Sequence, residues 1–226
     1  MLIYFEYLLP ALFLLFFPRK WMRFGWRIGT KASKRAAGPY TEEVVDPKDI
    51  SIKAKEQFCK LRNWIDFGRA LAGGIAIVYF CFAVDTSLPK KVRLVLSHYV
   101  LTLEIVLLVV AMVFQTIKPE RRLTLVAPVF FVLGLSFAVL GWKAALFSFI
   151  IIWAINVSLP SVTTFLLAFA TVEMGFGLIP KVGSSRTYVI VAVCLTLIPV
   201  LLSAVTKRRL TQLSKKMLSK REIVKE

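Results

Sequence analysis

Seven apolar runs, divided by short charged or proline-marked breaks, organise this chain: residues 2–17, 68–84, 94–117, 123–140, 144–159, 161–179 and 188–206. Residues 123 to 179 form 57 positions with only two ionisable side chains, Lys143 and Glu173. A spanning helix needs roughly 20 apolar residues to cross about 30 Å of hydrocarbon. A stretch this long and this poor in charge is therefore predicted to cross a bilayer several times. The fold class expected is all-α: a polytopic transmembrane helix bundle of six to seven spans.

The breaks set the element ends. Residues 85–93 and 118–122 are charged, and Gly141, Trp142 and Lys143 make a tight turn. Pro160 ends one helix, and Ser161 is placed to cap the next by accepting a free first-turn N–H. The domain plan read from this is an N-terminal transmembrane or re-entrant anchor (1–17), a basic cytoplasmic segment with interfacial amphipathic helices (18–67), a six-span membrane domain (68–206) and a basic cytoplasmic tail (207–226). The first run is short and interrupted by Glu6 and Pro10. Its positive charges follow it instead of preceding it, unlike a secretory signal.

Charge gives orientation. The net charge is +17 and the mean hydropathy +0.71. Of the 30 Lys and Arg residues, 24 fall in residues 18–69, 118–122 and the segment from Lys207 onward. Lys and Arg concentrate on the cytoplasmic side of spans, so those segments are expected inside and the N-terminus outside. The expected location is a bacterial plasma (inner) membrane with a cytoplasmic C-terminus.

Arg19, Arg23, Arg27 and Lys31 recur every four residues, on one face of a helix. With Trp21 and Trp26 they are the candidate lipid-binding residues, guanidinium groups on phosphates and rings at headgroup level. A second amphipathic stretch, residues 51–67, places Phe58, Leu61 and Ile65 on one face. The partners implied are anionic membrane lipids, and beyond them a second copy of the chain or another membrane protein. A soluble basic domain that could read nucleic acid is not present in the pattern.

Residues 83–89 (AVDTSLP) echo residues 154–160 (AINVSLP), with four of seven positions identical. Glu104 and Glu173 follow the two prolines at comparable distances. This points to a 3+3 inverted repeat, an arrangement that places substrate sites at the repeat interface near midplane. Intramembrane carboxylates are functional candidates by default, so Glu104 and Glu173 are the candidate transport or relay residues. Ser97 and Gln115 join them on a polar stripe of the third run. The competing reading makes each glutamate a protonated acid that hydrogen-bonds a neighbouring helix. Ala70/Gly74 and Gly134/Ala138 are small pairs spaced by four, suited to close helix contact.

The sequence carries no catalytic motif that points to an enzyme, a lipid-modifying activity being the one enzymatic reading left open. Phosphate-binding glycine loops and the H-E-x-x-H zinc motif are missing. One histidine, His98, and three dispersed cysteines, Cys59, Cys81 and Cys194, make no metal set. The cysteines are read as free buried thiols. No catalytic residue, cofactor or metal is expected. The function expected is transporter- or channel-like; the alternative is a non-catalytic scaffold or subunit of a membrane complex that binds anionic lipid or a protein partner.

Overall fold

The computed structural model describes residues 1–18, 58, 61–119, 123–179, 182, 185–208 and 210–211. These are mostly helical. Helix α1 is Phe5–Phe16, α2 is Leu61–Ile75 with a π-helical continuation Ala76–Phe80, and α3 is Lys90–Thr116. Then come α4 (Val129–Leu140), α5 (Trp142–Ile155) with a 3-10 turn at Asn156–Ser158, α6 (Val162–Gly177) and α7 (Arg186–Thr206). The all-α expectation holds, and every apolar run contains a helix.

The punctuation works as chemistry dictates. Gly141 sits at φ 78°, a conformation that side chains disfavour, and so turns α4 into α5 with no intervening loop. Ser161 caps α6 by accepting the Thr164 N–H at 3.1 Å.

Helix length supports fewer unaided crossings than the runs predicted. Among the described residues, two helices, α3 and α7, are long and apolar enough to cross a bilayer by themselves. The remaining apolar helices are shorter than the runs that predicted them. Helix α1, at 12 residues, is about 18 Å long. The run starting at residue 123 opens as a strand, β4 (Leu123–Val126), before α4 begins.

Small strands tie the two ends of the bundle. At one end β1 (Leu2–Ile3) pairs antiparallel with β2 (Phe82–Ala83). At the other, β3 (Ile117–Pro119) pairs antiparallel with β4, and β5 (Leu210–Thr211) adds to β4 in parallel, with Leu125 opposite Leu210. The C-terminal end of α1 and the first turns of α2 also meet the end of α3 there, through Phe17, Arg69 and Gln115. The three segments that hold most of the positive charge therefore join the bundle at one end.

Helices α2 and α4 form the closest pair. A methyl on Gly134 would lie 2.4 Å from the Phe67 carbonyl oxygen and 2.8 Å from the Ala70 methyl, and one on Gly74 would lie 2.7 Å from the Ala138 methyl. The two small-residue pairs read from the sequence thus face each other, and the backbones approach through them.

The two halves expected to form a 3+3 inverted repeat pack differently. In the first half α2 and α4, the outer two helices of the triplet, are intimately paired, whereas their counterparts α5 and α7 are not. In the second half α6 packs against both neighbours, while α3 instead packs on α7. The echoed Asp85 and Asn156 also differ, one exposed in a turn and the other buried.

Polarity is arranged inside out. Only 17% of the apolar window of α3 is buried, and Tyr99, Val106, Val110 and Phe114 line its outer face. Phe5, Leu9 and Phe13 of α1, Phe147 and Ile150 of α5, and Ile190 and Leu201 of α7 are likewise exposed. Asp66, Arg69, Glu104, Gln115 and Glu173 are buried. A soluble core helix shows the opposite preference.

Candidate functional site: the polar interior

Three buried polar centres occupy successive levels of the bundle. The first lies toward the end bearing β3, β4 and β5. Arg69 on α2 pairs through Nε with Asp66 Oδ1 at 3.0 Å, one turn earlier on the same helix. Its Nη2 donates to Gln115 Oε1 at 2.8 Å, and its Nη1 donates to the Phe17 carbonyl. The guanidinium carbon lies 5.3 Å from the centre of the Phe131 ring, close enough for cation–π attraction. Gln115 Nε2 donates to the Leu15 carbonyl at 2.8 Å. The last turn of α1 has carbonyls with no helical partner, and Arg69 and Gln115 supply the donors.

The second centre is Glu173 on α6, with no solvent exposure. Thr196 of α7 donates to Oε2 at 2.7 Å, and the Ser136 hydroxyl of α4 contacts Oε1. Ser136 also bonds the Val132 carbonyl of its own helix at 3.0 Å. The third centre is Glu104 on α3, 5% exposed, whose Oε2 lies 3.5 Å from the Tyr188 hydroxyl of α7.

The helices measure the spacing between centres. Phe131 and Ser136 are separated by about 7 Å along α4, Tyr188 and Thr196 by about 12 Å along α7, and Gln115 and Glu104 by about 16 Å along α3, at 1.5 Å per residue. The first two steps together agree with the third within a few ångström. Asp66/Arg69, Glu173 and Glu104 thus form a ladder through the bundle. Both glutamates reach α7, on which Tyr188 and Thr196 lie two turns apart.

Of the relay candidates, Glu104, Glu173 and Gln115 are buried, and Gln115 belongs with Arg69 and not with Glu104. Ser97, in contrast, is exposed, and its hydroxyl returns to the Leu94 carbonyl of its own helix at 2.7 Å. It lies in the exposed first turns of α3, before the first buried residue, Val100. His98 is exposed as well, and Cys194 is exposed whereas Cys81 is buried. The lipid-binding candidates Arg19, Arg23, Arg27, Lys31, Trp21 and Trp26, and Cys59, lie outside the described residues. Among the described residues, no group of three or more His, Cys, Asp or Glu side chains is placed to hold a metal ion.

Sequence reasoning missed Asp66, Arg69, Ser136, Thr196 and Tyr188. A signal was present in α2: Asn63, Asp66 and Arg69 fall at i, i+3, i+6, on the face of Ala70, Gly73 and Gly74. Polar groups that share a face with small packing residues must point inward. Comparison with protein-family models, curated proteins and solved structures finds no match for this chain.

Proposed function

We propose that the chain is an integral membrane protein, and that its ladder of buried ionisable groups is the working part of a transporter- or channel-like device. The supporting observation is the ladder itself. Two carboxyl groups and a buried ion pair occupy three levels of the bundle, with α7 touching both carboxyls. Ionisable groups at such depth are costly in hydrocarbon and concentrate along ion and proton paths. The inside-out polarity supports the bilayer placement, because exposed apolar faces of this extent suit lipid.

The orientation follows the charge. The end at which β3, β4 and β5 gather receives the segments with 24 of the 30 basic residues, and the positive-inside preference puts that end in the cytoplasm of an inner membrane. The excess of basic residues in those segments fits anionic headgroups.

A second reading, a non-catalytic scaffold or complex subunit, draws on a different observation: each centre has partners within the bundle, and Glu173 has both oxygens engaged. Flux measured in sealed proteoliposomes separates the two. The transport reading expects proton or monovalent cation flux above protein-free vesicles, reduced at least tenfold by Glu173→Gln and by Glu104→Gln in protein that remains folded. Flux indistinguishable from empty vesicles supports the scaffold.

A further inference from the structure

We infer that Glu173 is a proton-binding site, with the ionisable hydrogen held on Oε1 and donated in a hydrogen bond to the Ser136 hydroxyl oxygen. The inference rests on the transport reading for its purpose, though its geometry stands independently. Hydrogen-bond arithmetic carries it. A hydroxyl has a single hydrogen, and a carbonyl can only accept. Ser136 lies 3.0 Å from the Val132 carbonyl and in contact with Glu173 Oε1. If its hydrogen serves Val132, the contact with Glu173 requires a hydrogen from the carboxyl. Thr196 then donates to Oε2 at 2.7 Å. In this arrangement both hydroxyl hydrogens, the acid hydrogen and both carboxyl oxygens have a partner.

Thr196 is itself unusual in this chain. Thr102, Thr116, Thr171 and Thr206 each return their hydroxyl to the carbonyl four residues earlier. The hydroxyl of Thr196 goes to Glu173 instead. This buried threonine bonds across to another helix instead of to its own. Its partner there is the oxygen that stays an acceptor when the carboxyl is neutral.

The surroundings favour a proton over a metal cation. Helix α4 has no ionisable residue, and α6 has only Glu173. On α5 and α7, which pack against α6, the ionisable groups are Lys143, Arg186, Tyr188 and Cys194; the first two are exposed and Tyr188 faces Glu104. The small sheet strand β5 also touches α6, and it brings no ionisable side chain. Loss of the proton would leave Glu173 Oε1 facing the lone pairs of Ser136, so the Ser136 hydrogen must swing from Val132 to the carboxylate. Proton exchange at Glu173 therefore switches one hydrogen bond between α4 and α6.

Infrared difference spectroscopy of the full chain in lipid vesicles, with 13C-labelled glutamate to separate Glu from Asp, tests this. The wild type at neutral pH is expected to show a protonated glutamic acid carbonyl band that shifts in D2O. Glu173→Gln is expected to lose it and Glu104→Gln to keep it. Ser136→Ala is expected to move the band to higher frequency, because the acid loses its acceptor, and this variant removes only a hydroxyl. A spectrum in which Glu173 contributes only carboxylate bands overturns the inference. So does a band unmoved by Ser136→Ala. If flux is absent while the band behaves as expected, the transport reading fails and the proton site stands.

Discussion

Arg69 and Gln115 stand 46 residues apart in the chain and meet at 2.8 Å in the interior. Gln115 in turn donates to the Leu15 carbonyl, 100 residues away. Two side chains thereby join α1, α2 and α3, and they do so where the C-terminal carbonyls of α1 need donors. The guanidinium is neutralised by a carboxylate that is itself fully buried. Removing one partner of a buried pair is strongly destabilising, by about 3–5 kcal/mol, because the other charge is left uncompensated. Arg69→Met is expected to show a loss of that order in chemical or thermal unfolding of the purified protein. The double variant Arg69→Met with Asp66→Leu should recover most of it, since matched apolar replacements of buried pairs are often neutral. Failure of the double variant to recover would show that the bonds to Phe17 and Gln115, and not charge balance, are what Arg69 contributes.

Gly134 is the tightest of the glycines in the described helices. Its missing methyl would collide with the Phe67 backbone oxygen at 2.4 Å, and backbone cannot turn aside as a side chain can. Gly134→Ala is therefore expected to push α2 from α4 and to cost about 1–3 kcal/mol, the range for overpacking. Gly175 is the control, with nothing within 4 Å of its would-be methyl. Gly175→Ala should be stabilising by up to about 1 kcal/mol, because alanine is the better helix former. Thermal melts of the two variants in one detergent decide the comparison by sign.

These two sites show what the sequence could and could not convey. Small residues four apart on two separate runs announced that two helices approach closely. They did not say that the pairs approach each other, because which helices are neighbours depends on the whole bundle. Apolar runs located the helices well, yet two of the helices they contain are long and apolar enough to cross a bilayer unaided. Hydropathy alone does not distinguish a strand such as β4 from the first turn of a helix. The candidate site was half legible. Glu104 and Glu173 stand out as lone acids in apolar surroundings, whereas Ser136 and Thr196 are ordinary in composition and acquire meaning only by touching Glu173. Asp66 and Arg69 looked like part of a charged flank, and only the inward face of α2 separates them from it.

Asp85 offers a test outside the apolar helices. Its carboxylate accepts the Ser87 backbone N–H at 2.9 Å and the Ser87 hydroxyl at 2.8 Å, and these bonds, the backbone one foremost, hold its pKa below the ordinary aspartate value. A depressed folded-state pKa means that the turn gains stability above the unfolded-state value. That gain is lost as pH falls through the folded one. The Asp85 titration followed by NMR should have its midpoint below that of a model aspartate, and Ser87→Ala should move it upward. An unchanged midpoint in Ser87→Ala would assign the depression to the backbone bond alone.

The bilayer placement can be tested on the outer face of α3, where solvent and lipid make opposite demands. Val106 is 52% exposed and lies in the middle of a 27-residue helix. Were that face in water, Val106→Lys would be a surface change, within about 0.5 kcal/mol of neutral. In hydrocarbon, a lysine at mid-helix is opposed by about 2.5–3.5 kcal/mol on insertion scales. Val92, in the first turn of α3 and 46% exposed, is the internal comparison, because a lysine near a helix end extends its ammonium to the interface. Membrane integration and the unfolding midpoint of reconstituted protein should therefore fall for Val106→Lys and stay near wild type for Val92→Lys. Equal tolerance at both positions would place α3 in water and remove the premise on which the polar ladder is read as a path across a membrane.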